Sequence, residues 1–213
     1  MFKSRLIACL GAIGLVLLGA QSLHATTTGP VRFGAALTSS SDPSNAESGQ
    51  RCDASNGIPK GSVCSWVSVQ AYQNAGHERA PKAGTIGRLR LVSCVAGSFR
   101  LEFAAVKPNA RQAKIVRDGP VISYKADPRQ VDADPNTVCG GDNADDFKIQ
   151  TFPVNVQVNK GSYIAIRTSK TGTLYCSGGT GVLLFSPSLR VGGGYRRANT
   201  DTSCNLLVQL QYK

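Results

Sequence analysis

Apolar and polar residues alternate with a period of two along much of the chain, most regularly across residues 147–168. Phe152, Val154, Val156 and Val158 fall on one face and Asn155 and Gln157 on the other, the pattern of a strand with one buried side. Asn159, Lys160 and Gly161 supply turn chemistry before the apolar pattern resumes at 163–167. This stretch reads as a β-hairpin.

The same period recurs on either side. Val63, Val67 and Val69 share one face, with Trp66, Gln70 and Tyr72 on the other. Across 85–94, Leu89 and Leu91 alternate with Arg88 and Arg90, as in a sheet with one wet face. Residues 99–103 read Phe-Arg-Leu-Glu-Phe, apolar inward and charged outward. Asp118-Gly119 flanked by apolar residues is a hairpin-turn signal, although Pro120 limits pairing just after it. Shorter strands are expected at 31–37, 173–176 and 181–185, and a last one at 204–212. There Leu206, Val208, Leu210 and Tyr212 alternate with Leu207, Gln209 and Gln211.

No window carries a helical period. The expected fold is all-β: a single two-sheet antiparallel β-sandwich, jelly-roll-like, over residues 62–213. An irregular N-terminal arm, 26–61, precedes it. Its 39–50 portion holds almost no apolar side chain larger than alanine and has little surface to bury against the entropy of ordering.

Residues 1–25 have the three parts of a secretory signal peptide: Lys3 and Arg5, an apolar run over 6–20, and a polar end with cleavage expected after Ala25. The apolar run is short for a membrane span, and the mature chain has no comparable one. Export, to the periplasm or beyond the cell, changes how the cysteines are read. Of seven, Cys9 leaves with the leader, and an even set remains: Cys52, Cys64, Cys94, Cys139, Cys176 and Cys204. In an oxidising compartment these form three disulfides. Six cysteines allow 15 connectivities; the pairing expected is Cys52–Cys64, Cys94–Cys139 and Cys176–Cys204, joining neighbouring strands or stapling a loop. A zinc site is the rival, weakened by the absence of C-x-x-C and by a single remaining histidine, His77.

Without its leader the chain keeps 22 of 24 basic residues and all 13 acidic ones, a net charge of about +9. Dispersed along the chain, this charge reads first as an aid to solubility and second as affinity for acidic surfaces such as anionic glycans; nucleic acid is not expected, since no basic run is interleaved with aromatics.

Several short motifs together resemble a set of uncharacterised secreted bacterial β-sandwich proteins. They are Cys64-Ser65-Trp66-Val67, Ala80-Pro81-Lys82-Ala83-Gly84-Thr85-Ile86, Thr151-Phe152-Pro153-Val154, Lys160-Gly161 and Leu184-Phe185-Ser186-Pro187. The resemblance implies a jelly-roll-like sandwich and no particular activity.

Chemistry-bearing clusters are few. Asp132, Asp134, Asn136, Asp142, Asp145 and Asp146 crowd a polar loop, 125–146, with hard oxygen ligands suited to Ca²⁺. Asp132-x-Asp134-x-Asn136 copies the start of an EF-hand loop. Pro135, Thr137 and Asn143 then break the copy, so the loop reads first as solvated and turn-rich, with no cofactor, and calcium is the other reading. His77 beside Glu78 has no G-x-S-x-G elbow to serve. Glu102 is expected on the outer face with Arg100, in a cross-strand ion pair. Trp66 and Tyr72 could stack a sugar or pack in the core. Tyr195, Arg196 and Arg197, after three glycines, offer a ring and two cations to an anionic or glycan partner or simply link two strands. No catalytic residue is expected. The reading is a noncatalytic binding module for a glycan or acidic surface polymer, with a structural or protein-interaction module of the envelope or an extracellular assembly as the alternative.

Overall fold

A computed structural model describes residues 29–37, 50–52, 57–70, 77–93, 95–108, 111–126, 148–176 and 181–213. They contain no helix. The strands are β1 (Arg32–Gly34), β2 (Gln50–Arg51), β3 (Cys64–Ser68), β4 (Gly84–Leu91), β5 (Gly97–Val106), β6 (Gln112–Tyr124), β7 (Gln150–Val158), β8 (Tyr163–Thr168), β9 (Lys170–Thr171), β10 (Leu174–Cys176), β11 (Val182–Phe185), β12 (Arg196–Arg197), β13 (Thr200–Thr202), β14 (Cys204–Leu206) and β15 (Val208–Tyr212). Two antiparallel sheets, β1-β15-β4-β7 and β12-β6-β5-β8-β3-β11-β13, pack face to face, and two-stranded ladders β10-β14 and β2-β9 complete the fold.

The expected two-sheet sandwich is present, and the alternation shows where its core lies. Leu89 and Leu91 of β4, Phe99, Leu101 and Phe103 of β5, Ile164 and Ile166 of β8 and Leu206, Val208 and Leu210 near the C-terminus are buried in one cluster between the sheets. Each such side chain contributes about 2 kcal/mol by leaving water.

Residues 147–168 do not form a hairpin. β7 pairs with β4 in the four-stranded sheet, whereas β8 pairs with β3 and β5 in the other. The turn after Val158 is an arch from one sheet to the other, with Gly161 at φ +81° and its N–H donating to Ala80 O at 2.7 Å. Val154, Val156 and Val158 thus meet Ile164 and Ile166 side chain to side chain across the core, where backbone pairing had been expected.

Asp118-Gly119 is not a hairpin turn either. β6 runs through it unbroken for 13 residues. The register against β5 slips between Arg100↔Val121 and Glu102↔Asp118, so Gly119 and Pro120 form a bulge opposite Leu101. Proline, with no N–H to offer a ladder, is tolerated there.

The N-terminal arm is built into the fold at several points. Arg32–Gly34 adds to the four-stranded sheet, Cys52 and Ile58 are buried in the core, and Cys52 is bonded to Cys64 as expected, with Cα atoms 5.9 Å apart. Cys204 is also disulfide-bonded, and its backbone partner in the β10–β14 ladder is Cys176, whose side chain lies outside the described set. Cys94 and Cys139 lie outside the described residues.

Candidate functional site

The larger sheet is covered on both sides. Its outer face, away from the core, carries Val67, Ala104, Ala113, Ile115, Ala165, Leu183 and Phe185, and residues 186–199 cross this face as a strap whose Leu189 is buried among them. Backbone bonds hold the strap at several points, with Ser188 N donating to Val63 O at 3.1 Å, Ala198 N to Arg111 O at 2.6 Å and Asn199 N to Leu184 O at 2.9 Å. Ile115 and Val191 form a bridge, and β12 pairs with the start of β6. The glycine run at 192–194 lies within this strap, where Gly193 N closes a turn onto Arg190 O at 3.1 Å.

Glu102 corrects one expectation and bears out another. It faces outward as alternation predicts, yet it is wholly buried, because the strap covers that face. Its ion pair is with Arg167 of β8, Nε to Oε1 at 3.1 Å, and Arg167 also reaches Asp118 at 3.8 Å. Ser65 Oγ donates to Oε2 at 3.1 Å. Oε1 has no partner with hydrogen-bond geometry among the described residues. Burial first, then the Asp118 charge, raises the carboxyl from its ordinary 4.5 to about 7, against the lowering pull of Arg167, Ser65 and Arg100.

Within the strap, Tyr195 lies at the sheet's β12–β6 edge. Arg196 pairs with Ala113, so continuing that antiparallel register places Tyr195 opposite Lys114. Lys107 Nζ and Lys114 Nζ each lie 4.9 Å from the Tyr195 ring centroid. Tyr195 is 38% exposed as a residue. Arg197 is exposed beside it, and Arg111 pairs with Asp201. Arg196 is turned to a structural task, donating to Pro187 O at 2.8 Å and Ser186 O at 3.0 Å, which braces the strap. Lys107 and Lys114 escaped the sequence reading because they sit some 80 positions from Tyr195, and only the β5–β6 and β6–β12 pairings bring them to it.

Trp66 cannot stack a ligand. It is wholly buried in the core, and its Nε1 donates to Thr168 O at 3.2 Å. Tyr72 and the acidic loop with Asp132, Asp134, Asn136, Asp142, Asp145 and Asp146 lie outside the described residues. Among those described, no three His, Cys, Asp or Glu side chains gather as a metal site would require, and no helix is long and apolar enough to cross a membrane. His77 and Glu78 are exposed; His77 contributes its carbonyl to Gly34 N at 2.8 Å, tying the segment to β1.

Two hollows flank the strap's start. One of about 490 Å³ is lined by Ile58, Pro59, Val63, Pro187 and Asn199, and one of about 250 Å³ by Leu189, Arg190 and Arg196. Comparison with protein families, with curated proteins and with solved structures finds no match.

Proposed function

We propose that the chain is an exported, noncatalytic binding module for an acidic surface polymer or glycan, engaged at the Tyr195 edge. The single observation behind this is the exposed Tyr195, with two lysine ammoniums 4.9 Å from its ring centroid. Each ammonium is attracted to the ring, but the two repel each other, and an anionic group placed between them relieves that repulsion. Lysines at the ring leave less of its face for a neutral sugar, which favours carboxylated or phosphorylated polymers over uncharged ones. Lys107, Lys114 and the exposed Arg197 lie at this edge, which favours an anionic partner. Export after Ala25 and jelly-roll-like connectivity belong to the same reading, with no cofactor; calcium at the 125–146 loop is the rival to a solvated turn-rich loop.

Retention on immobilised polygalacturonate, lost at high salt, is the expected result. Tyr195→Ala with Lys107→Gln and Lys114→Gln should weaken it about tenfold. Equal retention of this variant and the native chain would sink the site. A calcium titration followed by thermal melting tests the loop separately: no shift is expected of a solvated turn-rich loop, and a rise in melting temperature would make the loop a calcium site.

The alternative, a structural or protein-interaction module, draws on the 490 Å³ hollow with Val63 46% exposed at its rim. Stable oligomers by light scattering, without polymer retention, would favour it.

A further inference from the structure

The outward side of the four-stranded sheet is a second cationic surface that the Tyr195 edge does not explain. Arg32 of β1 lies opposite Gln211 of β15, Gln211 opposite Arg88 of β4, and Gln209 opposite Arg90. Strand spacing of about 4.8 Å and a same-face repeat of about 6.8 Å bring the three arginine backbones within roughly 12 Å of one another. None of the four strands contains Asp or Glu, and among the described residues none of the three arginines has a carboxylate partner.

Two of the cations on this side, Arg90 and Lys213, are held in place by neutral groups. Arg90 Nη1 donates to Gln209 Oε1 at 2.6 Å, and Gln209 Nε2 donates to Ala35 O at 2.7 Å, which fixes that amide. Lys213 Nζ reaches Asn155 Oδ1 at 2.8 Å, and its stem passes over Gly87, adding a fourth cation to the same side. Burial and, second, the charge of Arg32 lower the pKa of Arg90, as expected for like charges held together without a counter-charge. Arg90 is thereby preorganised for an anion, because its ordering is complete before the ligand arrives. The outward register positions hold no aromatic ring to enter a bilayer or stack on bases. Cations set roughly 7–12 Å apart across one sheet face suit charges repeated along an extended chain.

We infer that this face binds an extended polyanion independently of the Tyr195 edge, so that one molecule bridges two polymer chains. The inference rests on the proposed function for its ligand class and shares none of its residues. The Tyr195 edge belongs to the larger sheet, this face to the smaller.

The test uses polygalacturonate and long-chain polyphosphate, which separate carboxylate from phosphate sources, with dextran as the neutral control. Calorimetric stoichiometry and light scattering are measured for three variants: Lys107→Gln/Lys114→Gln/Tyr195→Ala, Arg32→Gln/Arg88→Gln/Arg90→Gln, and the two combined. Either triple variant alone should bind about tenfold more weakly, at about half the sites per polymer length, and lose the scattering rise that marks bridging. The combined variant should bind about a hundredfold or more weakly. Arg90→Lys, which keeps the charge, should still bridge, and far-ultraviolet circular dichroism should find every variant folded. Loss of all binding in the Tyr195-edge variant, or unchanged stoichiometry and scattering in the arginine variant, overturns the inference while leaving the proposed function standing. Binding abolished by the arginine variant and untouched by the edge variant overturns both the edge and the bridging. A native chain that binds neither polymer removes both proposals.

Discussion

Ser65 links the strap to Glu102: its hydroxyl accepts the Leu189 N–H at 3.0 Å and donates to Glu102 Oε2 at 3.1 Å. The carboxyl is therefore part of what seats the strap, and its protonation affects stability. Its folded pKa is raised from 4.5 to about 7. Below pH 4.5 both folded and unfolded states hold the proton. Between 4.5 and 7 the unfolded chain releases it and the folded chain does not, so stability falls as pH rises through that window and levels off above it. The full difference is up to about 3 kcal/mol. Denaturant midpoints for the native chain should fall between pH 5 and pH 8, and Glu102→Gln should flatten that slope. An equal slope in the variant would assign the effect to other groups.

Arg167 is the cation nearest this carboxyl. Arg167→Met should leave Glu102 buried without its counter-charge, costing about 2–4 kcal/mol at pH 8 where the group is ionised. At pH 5 the protonated carboxyl needs no cation, so the loss should be smaller. Urea denaturation at the two pH values measures the contrast; a loss independent of pH would mean that Arg167 acts through packing alone.

Gly34 lies at φ +92°, and a Cβ there would stand 2.5 Å from both Ile164 Cδ1 and Val208 O. Val208 O is a backbone atom of the adjacent β15 and Ile164 is buried in the core, so neither neighbour can move freely. Gly34→Ala should destabilise by about 2–4 kcal/mol through strained backbone and overpacking together. An unchanged melting temperature would show that the arm's strand is dispensable.

The Cys52–Cys64 bond joins residues 12 apart in sequence and ties the buried end of the arm to β3. Cys52→Ala with Cys64→Ala should cost about 3 kcal/mol, the chain-entropy value for a loop of that size. The measurement is chemical denaturation under oxidising conditions, where a midpoint equal to the native chain's would contradict it.

The alternation of apolar and polar residues was enough to read the all-β class, the core membership of Leu89, Leu91, Phe99, Leu101, Phe103, Val208 and Leu210, and the short Cys52–Cys64 loop. The reason is local: in a strand the side chains alternate by geometry, so burial is written residue by residue. Pairing is not written that way. The alternation of 150–158 and 163–168 is the same whether the two strands bond to each other or face each other from opposite sheets; only the competition of β4, β3 and β5 for their backbones decided it. The Asp118-Gly119 bulge depends likewise on how β5 is registered against β6. Glu102 was assigned the correct face and the wrong environment, because a strap from more than 80 residues later covers that face. Tyr195 was legible as a ring among cations, but Lys107 and Lys114 reached it only through tertiary pairing. The sequence by itself determined which side of each strand is apolar, since that depends on neighbours two positions away. The tertiary structure alone decided which strands meet and which charges are brought together, since those depend on long-range backbone hydrogen bonds that no local pattern encodes.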